Sequence, residues 1–143
     1  KRCMDYPVTE FTFLGYSFRP RLAKGRGGRV FLGYLPAVSR DALTTMRQEV
    51  RSWRIKRQSE RSLEELSKKY NPVLKGWANY YGRFYTTALA PLWRSVNKHL
   101  VQWLMWKHKW LKRRKGQARK TLEQMARNDT RAFVHWKMGN TTA

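Results

Sequence analysis

A mainly α fold, with an N-terminal β-hairpin followed by a helical bundle of about three to five helices, is what the sequence predicts. Three observations carry that expectation. Apolar residues alternate in two early runs, VTEFTFLGYSFR at 8–19 and RVFLGYL at 29–35, both rich in β-branched and aromatic side chains. From Ser39 onward the apolar spacing changes from two to 3–4 and stays there. Two later prolines, Pro72 and Pro91, stand where helices start rather than where strands run. The 143 residues suit one domain, and 41% hydrophobic content with seven Trp, seven Tyr and six Phe can fill its core.

Taken in order, the two early runs form an antiparallel hairpin whose connector, LAKGRGG at 22–28, makes a basic tip. Phe-Leu-Gly-Tyr occurs twice, at 13–16 and 31–34. A solenoid needs further copies, so the pair reads as two strands with similar demands, each with a Gly where a neighbour comes close. Ser39 then N-caps a helix running to about Lys56, with Leu43, Met46, Val50 and Trp53 on its inner stripe. Ser62 and Glu65 form a capping box that opens a short helix, with Leu63, Leu66 and Tyr70 inward. Asn71-Pro72 is expected to restart the chain as a separate helix carrying Val73, Leu74, Trp77, Tyr80, Tyr81 and Phe84. Ala90-Pro91 opens a long helix with Leu92, Val96, Leu100, Trp103, Trp106 or Lys107, and Trp110 inward, closed by Gly116. A shorter helix at about 117–127 and an apolar tuck, AFVHW at 132–136, complete the bundle.

Charge narrows the function. Thirty-one Lys+Arg against nine Asp+Glu give a formal net charge of +22, with a pI near 11.0. A compact domain carrying that charge repels itself, so a polyanionic partner is expected. No run approaches a membrane span of roughly 18 apolar residues, and no signal-peptide pattern opens the chain. A single cysteine, Cys3, excludes an internal disulfide and a cysteine-based zinc site, and an intracellular location is the default. The opening residues, KRCMDYPVTEFTF, carry no initiator Met and turn strand-like at once, as expected of a piece of a longer protein.

Catalytic chemistry is hard to find. The nine acids are scattered, Glu64-Glu65 diverge on their helix, and no Asp pair could hold two metal ions. His99, His108 and His135 have no metal-site spacing and no nearby acid, and read as packing or RNA-facing residues. There is no P-loop and no GxSxG elbow, and GRGG at 25–28 precedes no helix. Binding chemistry is plain by contrast. KHKWLKRRKGQARK at 107–120 holds eight Lys/Arg and no acid, more than a helix dipole asks for: Lys107, Lys109, Lys112, Arg113, Arg114, Lys115, Arg119 and Lys120. Arg47, Arg51 and Arg54 form a second basic stripe with Lys56 and Arg57. The hairpin tip, Arg19, Arg21, Lys24, Arg26 and Arg29, makes a third surface. Lys75, Asn79, Tyr80, Tyr81 and Arg83 complete the candidate RNA contacts; adjacent Tyr80 and Tyr81 diverge by about 100° on a helix, so one presents its ring or hydroxyl outward. Three basic surfaces fit a large folded nucleic acid.

FTFLGYSFRPR, then RVFLGYLPAVSRDAL, then NPVLKGWANYYGRFY resemble, in this order, the C-terminal part of bacterial group II intron reverse transcriptase/maturases, and the likeness extends to AFVHWKMG. Asn-Pro followed by Gly-Trp-x-Asn-Tyr-Tyr is similar to the hallmark of that family's maturase-specific domain, also called domain X or thumb. The resemblance implies that residues 1–37 are the end of a reverse transcriptase palm and residues 38–143 a thumb-like maturase domain. It implies binding of group II intron RNA to promote splicing, and clasping of an RNA/DNA template–primer duplex beside a palm and fingers domain. The paired aspartates of the polymerase motif are absent, so no catalytic residue is expected in this chain, although the parent protein would be an RNA-directed DNA polymerase. Mg2+ is expected only in the parent's polymerase domain and in the intron RNA. The chain ends in GNTTA, similar to lineages without an appended endonuclease. The implied setting is the bacterial cytoplasm, associated with RNA or nucleoid and with no membrane. The alternative is a general basic DNA- or ribosomal-RNA-binding protein with no intron role.

Overall fold

The computed structural model describes residues 11–24, 27, 30–83 and 85–142. It is mainly α, with an antiparallel N-terminal sheet followed by helices. Among the described residues three strands, β1 (Phe11–Phe13), β2 (Tyr16–Lys24) and β3 (Val30–Val38), pair in sequence order. The long hairpin keeps one register from Tyr16↔Val38 to Lys24↔Val30. The expected first strand is split: Leu14 and Gly15, with φ of 51° and 82°, form a two-residue turn that pairs Phe13 with Tyr16. Left-handed backbone at both central positions matches the right-handed twist of the strands it joins. The first Phe-Leu-Gly-Tyr is therefore a turn, whereas the second lies in mid-strand, with Gly33 opposite Arg21.

That turn fastens the sheet to the helices. A Cβ on Gly15 would stand 2.9 Å from the Tyr81 ring, so a close neighbour does explain this glycine. The Gly15 carbonyl accepts from the Ser39 amide at 2.7 Å, and the Tyr80 hydroxyl donates to the Leu14 carbonyl at 3.0 Å. Tyr16 packs on Tyr80 and Tyr81, with ring centroids 5.3 and 5.8 Å away.

Among the described residues five α-helices follow: α1 (Arg40–Ser52), α2 (Leu63–Tyr81), α3 (Ala90–Lys107), α4 (Lys115–Asn128) and α5 (Val134–Lys137). Ser39 caps α1 through its hydroxyl, which accepts from Ala42 N at 3.1 Å, and Ser62 caps α2 by accepting from Glu65 N at 3.2 Å. Helix α2 runs unbroken through Pro72, against the expected restart. Its apolar stripe, Leu66, Tyr70, Leu74 and Trp77, stays in phase across the proline, and the core holds both halves as one helix. Asn71 does not cap. Its side chain donates to the Ala132 carbonyl at 2.7 Å and accepts from Val134 N at 3.2 Å, clamping the segment that leads into α5.

Helix α3 is the axis of the bundle, with Leu92, Trp93, Val96, Leu100, Val101, Trp103 and Leu104 all buried. It ends at Lys107 instead of continuing to Gly116. A 3-10 turn (Lys109–Leu111) and left-handed Arg113 redirect the chain, and Gly116 falls in the first turn of α4. Of the alternatives Trp106 or Lys107 for the inner stripe, Lys107 is the half-buried one and Trp106 is 67% exposed, while Trp110, expected near the end of the helix, lies beyond it and is 54% exposed. AFVHW does tuck in, with Phe133, His135 and Trp136 fully buried.

Candidate nucleic-acid interface

Met46 and Val50 bury their side chains, and the opposite stripe of α1 faces an open groove of about 1200 Å³. Thr44, Arg47, Gln48, Arg51 and Ser52 form one wall; Pro91, Arg94, Ser95, Lys98, His99 and Gln102 of α3 form the other. A 3-10 turn (Ile55–Arg57) adds Lys56 and Arg57 to the lining, with Arg54 just before it. Seven Lys/Arg thus converge, no acid lines the groove, and none of the seven is ion-paired among the described residues. Like charges brought together without counter-charges raise one another's potential, which favours an anion strongly.

Packing beneath the groove holds this arrangement. Ile55 is buried and anchors the turn between its cationic neighbours. Trp53 stacks on Tyr70 at 4.3 Å and on Trp77 at 5.8 Å, tying the end of α1 to α2. The Gln58 side-chain amide donates to the Trp53 carbonyl at 2.9 Å and to the Tyr70 hydroxyl at 2.7 Å, while its backbone carbonyl accepts from Trp103 Nε1 at 2.9 Å. His99, half-buried in the wall, is held below its ordinary value by burial, then by the Arg51, Lys56 and Lys98 charges. At neutral pH it is an uncharged hydrogen-bonding group among cations.

Arg54 reaches the groove at a conformational cost. Its φ of 51° and ψ of 49° are left-handed, where a helix end ordinarily uses Gly. Arg54 thus carries a backbone strain at a position where its charge lines the groove. Arg54→Gly is therefore expected to raise stability by up to about 1 kcal/mol in urea denaturation while weakening polyanion binding. A variant that loses stability and keeps its affinity would contradict that account.

Of the residues picked out in the sequence, the groove unites Arg47, Arg51, Arg54, Lys56 and Arg57. Arg94 and Lys98 join them from α3, and their i,i+4 spacing is the signal the sequence offers for them. Lys109, Lys112, Arg113, Arg114, Lys115, Arg119 and Lys120 are exposed on the corner between α3 and α4. Lys107 is half-buried instead, its ammonium donating to the Ser59 and Arg61 carbonyls at 3.0 and 2.9 Å. Lys75 and Asn79 are exposed on α2, and Arg83 is exposed just beyond it. Tyr80 is 47% exposed yet bonded to the sheet's turn, and Tyr81 packs beside it. Arg19, Arg21 and Lys24 are placed by backbone alone, in β2, and Arg26 and Arg29 lie outside the described residues, as do Cys3 and Phe84. Among the described residues no cluster of His, Cys, Asp and Glu could hold a metal, and no helix is long and apolar enough to cross a membrane.

Residues 43–137 fit the family model of the group II intron, maturase-specific domain. No curated protein and no solved structure matches the chain. The matched span runs from the first turns of α1 through α5 and contains every residue lining the groove. The chain belongs to the group II intron maturase-specific domain family.

Proposed function

We propose that this chain is the RNA-binding maturase, or thumb, module of a group II intron-encoded protein. It binds intron RNA to promote splicing and clasps the template–primer duplex during reverse transcription. The observation that carries this reading is the groove itself: seven cations, none ion-paired among the described residues, on two helices and a turn, all inside the family-matched span. Phosphates on a folded RNA satisfy such a surface, and the counterions they release supply the binding free energy. Residues 1–37 would be the end of a palm and residues 38–143 the maturase domain, so the palm and fingers are partners in the parent polymerase. The chain itself contributes binding and positioning, and primer extension by the chain alone would contradict that.

The test is salt-dependent binding of folded intron RNA by wild type and by the triple variant R47Q/R51Q/K98Q. Removing three phosphate contacts is expected to lower the slope of log affinity against log salt by roughly 2 to 3. An unchanged slope would remove the groove from the interface. A general basic binder makes a different forecast: random duplex and intron RNA would bind equally at raised salt, where the phosphate contribution fades.

A further inference from the structure

Trp106 is explained neither by the fold nor by the charge of the groove. It sits in the last turn of α3 at 67% exposure, although Trp is among the costliest side chains to leave in water. Its direction follows from the helix. Ser95, His99 and Gln102 all line the groove, and at 100° per residue Trp106 lies within about 40° of each. It is thus the next position, one turn on, along the wall of a cation-lined groove. The chain that follows alternates rings and charges, Trp106-Lys107-His108-Lys109-Trp110, with Trp110 also exposed and the His108 ring 6.3 Å from it. No acid occurs from 107 to 120 to attract a basic partner.

An exposed ring at the end of a backbone-binding groove suits an unpaired base, because every base offers a face for stacking while the cations hold its phosphates. A protein partner offering a hydrophobic knob would have to approach across unpaired cations. A continuous duplex keeps its bases stacked on one another and has no free face to give. We propose that Trp106 stacks on an unpaired base of the RNA whose phosphates the groove holds, so that the protein prefers a junction of duplex and single strand to uninterrupted duplex. This rests on the reading of the groove as an RNA-backbone site.

The experiment compares a blunt RNA duplex with the same duplex carrying a single-stranded tail, using the full chain. Trp106→Ala is expected to weaken binding of the tailed duplex roughly tenfold, to leave the blunt duplex nearly unchanged, and not to alter the salt slope of either. Trp106→Phe retains a stacking face and should keep most of the affinity. Equal weakening of both ligands, or full affinity for the tailed duplex, would overturn the proposal. So would a change in sedimentation of the free protein on Trp106→Ala, which would make the ring a contact between copies. Failure of the groove reading registers separately, as an unchanged salt slope for R47Q/R51Q/K98Q on the blunt duplex.

Discussion

Replacing Asn97 with alanine is expected to cost about 3–5 kcal/mol of folding stability, a large share of the roughly 5–15 kcal/mol a domain has. Asn97 is fully buried on α3, and its amide is filled on every side. Its Oδ1 accepts from Trp136 Nε1 at 2.9 Å and from His135 Nε2 at 2.7 Å; its Nδ2 donates to the Asn140 and Thr142 carbonyls at 3.0 and 2.8 Å. Since Oδ1 can only accept, the neutral His135 ring carries its proton on Nε2. Truncation would strand two buried donors and release two carbonyls, each stranded group costing about 1–3 kcal/mol. Urea denaturation should show the midpoint falling with little change in slope. A loss below about 1 kcal/mol would mean that the tuck is held by Phe133 and Trp136 packing and not by this amide.

The loss would reach the interface as well. Asn97 lies between Val96 and Lys98, so one helix carries the amide that locks the C-terminal segment and the cations that line the groove. Loosening the segment behind α3 removes support from that wall. RNA affinity in Asn97→Ala should fall together with stability, whereas R47Q/R51Q/K98Q should lower affinity and leave the unfolding midpoint almost in place.

What the sequence made legible followed from periodicity and from charge. The stripe Leu43–Met46–Val50–Trp53 placed α1, the Ser39 and Ser62 caps placed two helix starts, and AFVHW placed the terminal tuck. The misreadings share a cause, in that local signals were overridden by tertiary contacts. Asn71-Pro72 looks like a helix start, yet the α2 stripe continues in phase, and Asn71 spends its amide on the chain 61 and 63 residues away. Strand alternation ran through Leu14-Gly15 because a two-residue turn leaves the period of two almost undisturbed. Trp110 fits an extrapolated helix stripe, but α3 stops three residues before it. The groove was half visible, since Arg47, Arg51 and Arg54 share a stripe in the sequence. The i,i+4 spacing of Arg94 and Lys98 is a local signal, but that α3 lies beside α1 is a tertiary fact.

Acid is expected to unfold this protein through the same buried network. Burial pushes the His135 imidazole down to about 3, from 6.5 for the free side chain. Its Nδ1 meets no partner among the described residues, and the ring is stacked 5.4 Å from Trp93, so a proton there would add an uncompensated charge inside the core. The folded ring stays neutral while the unfolded ring takes up a proton near pH 6.5, so the unfolded state binds more protons and stability falls with falling pH. The contribution is complete above about pH 6.5 and declines by about 1.4 kcal/mol per pH unit below it, until the pH nears 3. At pH 4.5 the loss should approach about 3 kcal/mol. His99, also held below its ordinary value by burial and by Arg51, Lys56 and Lys98, acts in the same direction. Carboxylate protonation adds to a formal charge of +22 and destabilises further, so wild-type denaturation alone cannot isolate the imidazole. His135→Gln supplies the difference, because it retains an N–H donor for Asn97 and cannot titrate. Its stability relative to wild type should improve steadily from pH 6.5 to 4.5, whatever its offset at pH 7. A difference that stays flat across that interval would show that His135 is protonated in the folded protein, and the buried neutral ring would have to be abandoned.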